Sequence, residues 1–177
     1  MAYAQIPRTS RSRRHRAAAD WIQALAGDRV AARELVDEVQ RAVGDRGGGR
    51  WYLGQHIADL VRVSVAVGQR TTAEALTAQA HDGVARNQHG VLTAHATLAE
   101  AAGALEEAAL RYDEAAAHWA AYGHRLEQAR ALLGAGRCLL ALGRPEGQDR
   151  LRDARTVLVE LHAEPLLNEL ATAVGDP

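Results

Sequence analysis

Between Gly103 and Gly143, small and large apolar residues recur every three or four positions, and a glycine closes each run. Leu105, Ala108, Ala109, Tyr112, Ala116 and Trp119 make one stripe. Leu126, Ala129, Leu133, Gly136 and Leu140 make the next. This is the spacing of helices that each bury one face. The turn Tyr122 to His124 is short enough that the two helices must fold back on each other. Hydrophobic residues make up 47% of the chain, yet aromatics are only 4% and Phe is absent. A core of Ala, Leu and Val needs close backbone approach. That favours packed helices over a β-sandwich, which draws on aromatic and β-branched residues.

The rest of the chain repeats the pattern, and its 177 residues suit one domain or one short array. Ala18, Trp21, Ile22 and Leu25 mark a first helix, stopped by Gly27 and followed by the cap Asp28. Ala32, Leu35, Val36, Val39 and Val43 mark a second. Residues 1–43 thus form an N-terminal helical pair, and the glycine-rich stretch 44–49 reads as a hinge. From 50 to 177 the repeats follow. The third stripe is Leu53, Ile57, Leu60, Val61 and Ser64; its length outweighs the strand-like alternation of Val61, Val63, Val65 and Val67. Thr71 and Glu74 have capping-box spacing at the start of the fourth helix, whose stripe is Ala73, Leu76, Thr77, Ala80 and Val84. Asn87 to Gly90 reads as a turn. Leu92, His95, Ala96, Ala99 and Ala102 mark the fifth helix. The opening pair are the sixth and seventh. Leu151, Ala154, Leu158 and Leu161 mark the eighth, and Leu166, Leu167, Leu170 and Val174 the ninth, opened by Pro165. Nine helices leave one unpaired at the end, as a stacked array needs to cover its last face.

Charge and composition narrow the chemistry. All 21 basic residues are Arg, a choice that codon bias in a GC-rich genome explains. Without Lys there is no Walker lysine, Schiff-base lysine or Ser-Lys dyad. Five Arg (Arg8, Arg11, Arg13, Arg14 and Arg16) and no acid fall in the first 19 residues. The remainder is mildly acidic, which argues against a general nucleic-acid surface. A single cysteine, Cys138, allows no internal disulfide and fits a reducing cytoplasm; mid-helix beside Leu139 and Leu140, it reads as a buried, inert thiol. No segment reads as a signal peptide or membrane span.

Gly68, Gly103 and Gly143 lie 35 and 40 residues apart, within the range of helical solenoids. Five and twelve residues after the first two glycines stand Ala73 and Ala80, then Ala108 and Ala115. Thr77 and Tyr112 stand nine after. Ala108, Tyr112 and Ala115, with Gly136 and Gly143, resemble the small–aromatic–small signature and glycines of the tetratricopeptide (TPR) repeat. After Gly143 the pattern departs: Gln148 stands where Ala is expected. The segments Tyr3 to Arg8 and Arg14 to Ile22 resemble the opening of the TPR region in large bacterial regulators that carry a STAND-type ATPase, some with a nucleotide cyclase or DNA-binding domain. Leu139 to Ala171 is similar to the final repeat of LuxR-type and related regulators. The resemblance implies an all-α, right-handed superhelix of antiparallel helix pairs, a TPR-like α-solenoid of about nine helices. It also implies a non-enzymatic interaction scaffold, as the isolated tail of such a regulator or a stand-alone homologue. No ATPase P-loop, cyclase metal segment or helix-turn-helix is recognisable.

In TPR proteins the first helix of each pair lines a groove that takes a protein, peptide or neighbouring domain. The polar candidates for that groove are Gln55, Arg62, Thr93, His95, Arg130 and Arg137. Arg8 to Arg16 form an alternative contact for a polyanion, and small-molecule sensing in the groove is a third reading. His89 and His95 are six apart, as are His118 and His124, so neither pair has the i, i+4 spacing of two ligands on one helix face. No metal, cofactor or catalytic residue is expected. His95, on the apolar stripe, is expected in the core or the groove.

Overall fold

The computed structural model describes residues 29–45 and 49–174, and every described element is helical. The helices are α1 (Arg29–Asp45), α2 (Gly49–Ala66), α3 (Arg70–Gln79), α4 (Ala85–Ala101), α5 (Leu105–Tyr122), α6 (Arg125–Ala141), α7 (Glu146–Glu160) and α8 (Glu164–Val174). They correspond to the second to ninth helices of the sequence reading. The first, like Arg8 to Arg16, lies outside the described residues. Of the glycine-rich stretch, Gly44 and Asp45 end α1 and Gly49 begins α2, so half of it is helical.

Four turns share one design. Gly68, Gly103, Gly123 and Gly143 have φ of 81°, 78°, 82° and 70°. Each donates back to the helix it ends, and the next residue reaches one carbonyl further: Ala104 N to Ala99 O at 3.0 Å, His124 N to Trp119 O at 3.0 Å, Arg144 N to Leu139 O at 2.9 Å. This left-handed cap satisfies the last carbonyls and reverses the chain at little steric cost, because glycine has no Cβ. It also displaces the predicted capping box. α3 starts straight after the Gly68 turn, with Gln69 at the cap position and no side-chain cap bond, so Thr71 is already inside the helix.

The stripes of α5, α6 and α7 hold. Ala108, Ala115, Ala129 and Ala154 have no exposed surface, and Tyr112, Trp119, Leu133 and Leu151 have almost none. Burial of each large side chain contributes ~1.5–3 kcal/mol. Leu161 is the exception on α7: it is the C-cap and is exposed. Ala115→Leu and Ala108→Leu are expected to overpack and cost about 1–3 kcal/mol each. Thermal melts should show both; melts that overlay the parent would mean the helices are not in tight contact there.

The last repeat explains its own departure. The small residue that packs on α6 is Gly147, not Gln148, which is exposed. A Cβ on Gly147 would lie 2.8 Å from Gly136 O and 2.9 Å from Leu140 N. Gly147, Leu151 and Ala154 take the places of Ala108, Tyr112 and Ala115, each one residue earlier relative to its glycine. α7 nevertheless begins one residue further from its glycine than α5 does, with Pro145 at the N-cap, so Gly147 lies in the first turn of its helix.

The α3–α4 region differs most from expectation. Asn87 to Gly90 is helix, inside α4, and not a turn. Ala80 is the C-cap of α3 with extended ψ of 134° and is only half-buried; Val84 caps α4 from an extended conformation and is exposed. α3 therefore has only 10 residues. Tertiary contact fixes this boundary: Asn87 has no exposed surface and donates from Nδ2 to His81 O at 2.8 Å.

Successive hairpins join in two different ways. α2 packs broadly on α4 and the short α3 touches α4 lightly; at the next joint α5 carries the contact with α6, and α4 barely meets α6. Glycines permit the first joint. Gly54 and Gly90 face each other across it, with Ile57 packed against Gly90. The core divides accordingly. Leu53, Ile57, Leu60, Val61, Ala73, Leu76 and Ala94 form one cluster. A larger one runs from Ala96 through α5, α6 and α7 to Leu170 of α8.

Candidate functional site

Three of the six residues expected to line a groove are arginines, and all three are engaged within the chain. Arg62 of α2 donates from Nη2 to both carboxylate oxygens of Glu127 on α6, at 3.0 and 2.9 Å, and to Asp59 Oδ1 at 2.7 Å. Arg130 donates from Nη1 to Glu127 Oε1 at 2.8 Å and to Asp59 Oδ1 at 3.0 Å. Two arginines and two acids thus close a cluster between helices that flank α4. Only small residues make this reach possible: α4 buries Asn87, Gly90, Thr93, Ala94, Ala96 and Thr97, none larger than Asn.

Glu127 is buried. Burial alone would raise its pKa, but Arg62 and Arg130 outweigh burial and hold it below its ordinary value. Asp59 is likewise held low: burial opposes its charge, and Arg62 and Arg130 more than compensate. For Arg62, burial disfavours the charge, yet Glu127 and Asp59 push its pKa above the usual value. The pairs are therefore fully charged near neutral pH.

Arg137 repeats the device one step along. It grips Glu100 of α4 in a bidentate pair, both bonds at 3.0 Å, and donates to Glu169 of α8 at 2.8 Å. The Tyr112 hydroxyl donates to Glu100 Oε2 at 2.7 Å. Burial, then the Glu100 charge, pushes its pKa upward, so it stays a neutral donor. The guanidinium fork fits a carboxylate in two parallel bonds, which fixes orientation as well as charge.

The other candidates separate. Gln55 is half-buried on α2. Thr93 is wholly buried: it donates to His89 O and accepts from Trp119 Nε1 at 2.9 Å. His95 is exposed, contrary to its place on the predicted stripe. α4 presents its small residues to α2 and α5 and leaves His95 outside, because the helix is buried on two sides and its apolar residues do not report one face.

The sequence reading missed a ring cluster. His89 lies 5.0 Å from His118 and 5.3 Å from Trp119, centroid to centroid; Tyr122 and His124 pack at 5.6 Å and 5.3 Å on His89 and Trp119 respectively. The histidines come from α4, α5 and the following turn, so their separation in sequence hid them. Burial, then the neighbouring His118, lowers the His89 pKa. Among the described residues, no group of three His, Cys, Asp or Glu side chains is placed to hold a metal ion. Cys138 is buried, and burial followed by the Glu100 charge pushes its thiol up to about 12, so it is an inert thiol at neutral pH. Among the described residues, no helix is long and apolar enough to cross a membrane.

The fold and this face define an all-α array of helical hairpins cross-linked by arginine–carboxylate pairs. Comparison with protein-family models, with curated proteins and with solved structures finds no match.

Proposed function

We propose that the chain is a non-enzymatic, TPR-like interaction scaffold, the tail of a bacterial signalling or transcriptional regulator or a stand-alone relative of one. The observation that supports it best is the row of charged side chains on alternate helices: Asp59 and Arg62 on α2, Glu100 on α4, Glu127, Arg130 and Arg137 on α6, and Glu169 on α8. Inter-helix pairs hold these groups in fixed positions. A surface arranged in this way costs little entropy to dock against. The partner is a protein, a peptide or a neighbouring domain of the same regulator, and the site works in the cytoplasm.

Site-specific photocrosslinking in cells tests this. A photoreactive residue at Gln55 or at His95 should capture one shared partner, or tether a neighbouring domain. The same group at the exposed Arg152 of α7 should not. Capture of the same species from all three positions, or from Arg152 alone, would overturn the assignment of this face.

A further inference from the structure

We propose that the Asp59–Arg62–Glu127–Arg130 cluster is a latch that holds the α1–α3 end of the array against the remainder, and that the array opens at α4 when the latch is released. The two apolar clusters meet on opposite sides of α4. Val91, Ala94 and Leu98 belong with α2 and α3, whereas Leu92, Ala96 and Ala99 belong with α5 to α8. The first cluster reaches α4 through Val91, Ala94 and Leu98, and the larger one takes its other side, so α4 is a shared wall between two units. α1 travels with the first unit, since it packs on α2 and α3, and Arg29 and Arg33 donate to the carbonyls of Ala66 and Val67 at the end of α2, at 2.8 and 3.0 Å.

The hydrogen bonds of the latch join α2 directly to α6, past α4, over separations of 65 and 71 residues. They add a direct tie from α2 to α6 to the apolar contact that the first cluster makes with α4. The groups acting on the two acids are Arg62 and His56 from α2 and Arg130 from α6, together with the repulsion between Asp59 and Glu127 themselves. Two acids balance two arginines. Neutralising one acid leaves two cations on a single carboxylate, and breaking such a buried pair costs far more than breaking an exposed one. The direction with pH follows. Both acids are held below their ordinary values, so the stabilisation is full at neutral pH and is lost as pH falls through their folded-state values. Release leaves the first apolar cluster alone to hold α2 and α3 on α4, and opening there uncovers the Val91–Ala94–Leu98 face. The latch is thus a switch between a closed array and one with that face available.

Hydrogen exchange on the full chain, read by mass spectrometry at neutral pH, tests the latch. In Glu127→Gln, amides of α2 and α3 should exchange about a hundredfold faster, while those of α5 to α7 keep their wild-type rates. Equal acceleration throughout would reduce the cluster to a general stabiliser and overturn the proposal, as would unchanged exchange in α2 and α3. If Glu127→Gln does not fold, Arg62→Gln carries the same test. It cuts the bonds from α2 to Glu127 but leaves Arg130 bridging both acids, so the same pattern is expected with a smaller change. A uniform or absent response in that variant overturns the proposal equally.

Discussion

Trp119→Ala is expected to destabilise the chain by about 3–5 kcal/mol, enough to remove much of the ~5–15 kcal/mol of a typical domain. Trp119 is 3% exposed at the end of α5, where the α4–α5 hairpin meets the turn into α6. Its ring packs edge-on against His89, Tyr122 and His124, and its Nε1 donates to the buried Thr93 hydroxyl. Truncation therefore opens a cavity and strands a buried oxygen at once. Thr93 still donates to His89 O, so the cavity is the larger loss. Tyr122, three residues on, is 50% exposed. Tyr122→Ala keeps Trp119 in place and should cost under about 1 kcal/mol. Denaturant melts of the two variants check the contrast. Equal losses would show that the cluster is held by its rim and not by Trp119.

Gly54→Ala should cost about 3 kcal/mol or more, although the same change at an exposed helical glycine gains about 1 kcal/mol. The reversal of sign is what makes this variant informative. A Cβ on Gly54 would stand 2.3 Å from His81 O and 2.4 Å from Asn87 Nδ2. The first is backbone and the second is bonded to it, so neither can swing aside as a flexible side-chain tip would. α2 must move away from α4, which loosens the contact of Ile57 with Gly90 as well. A lowered denaturation midpoint with an unchanged slope is the expected record. A variant as stable as the parent would mean that α2 does not cross α4 at Gly54.

Much of the architecture was legible because helical periodicity is a local property. The α5 and α6 stripes needed only residues a few positions apart, and Gly68, Gly103 and Gly143 were readable as turns because a left-handed cap favours glycine. α4 misled for the same reason. Buried on two sides by Gly90, Thr93, Ala94 and Thr97, it shows no single apolar stripe. The local pattern therefore puts His95 on the apolar stripe, in the core or the groove, and reads Asn87 to Gly90 as a turn, whereas His95 is exposed and contact with His81 and Ile57 makes Asn87 to Gly90 helix. At the last repeat, counting from Gly143 pointed to Gln148, whereas the close passage of α6 and α7 selects Gly147.

The arginines were picked out as polar residues on alternate helices, but not their partners. Arg62 and Glu127 are 65 residues apart, and Arg137 and Glu100 are 37 apart. No spacing rule links such pairs; their meeting depends on how thin α4 is and on which helix carries each joint. The amino-acid order alone settled that the chain is helical, where most helices reverse, and which faces of α5 to α7 are apolar, since these depend on neighbours within a turn or two. Which charges meet, which hairpins touch and where the core divides were decided only when the helices packed, because those outcomes belong to side-chain volumes brought together from distant parts of the chain.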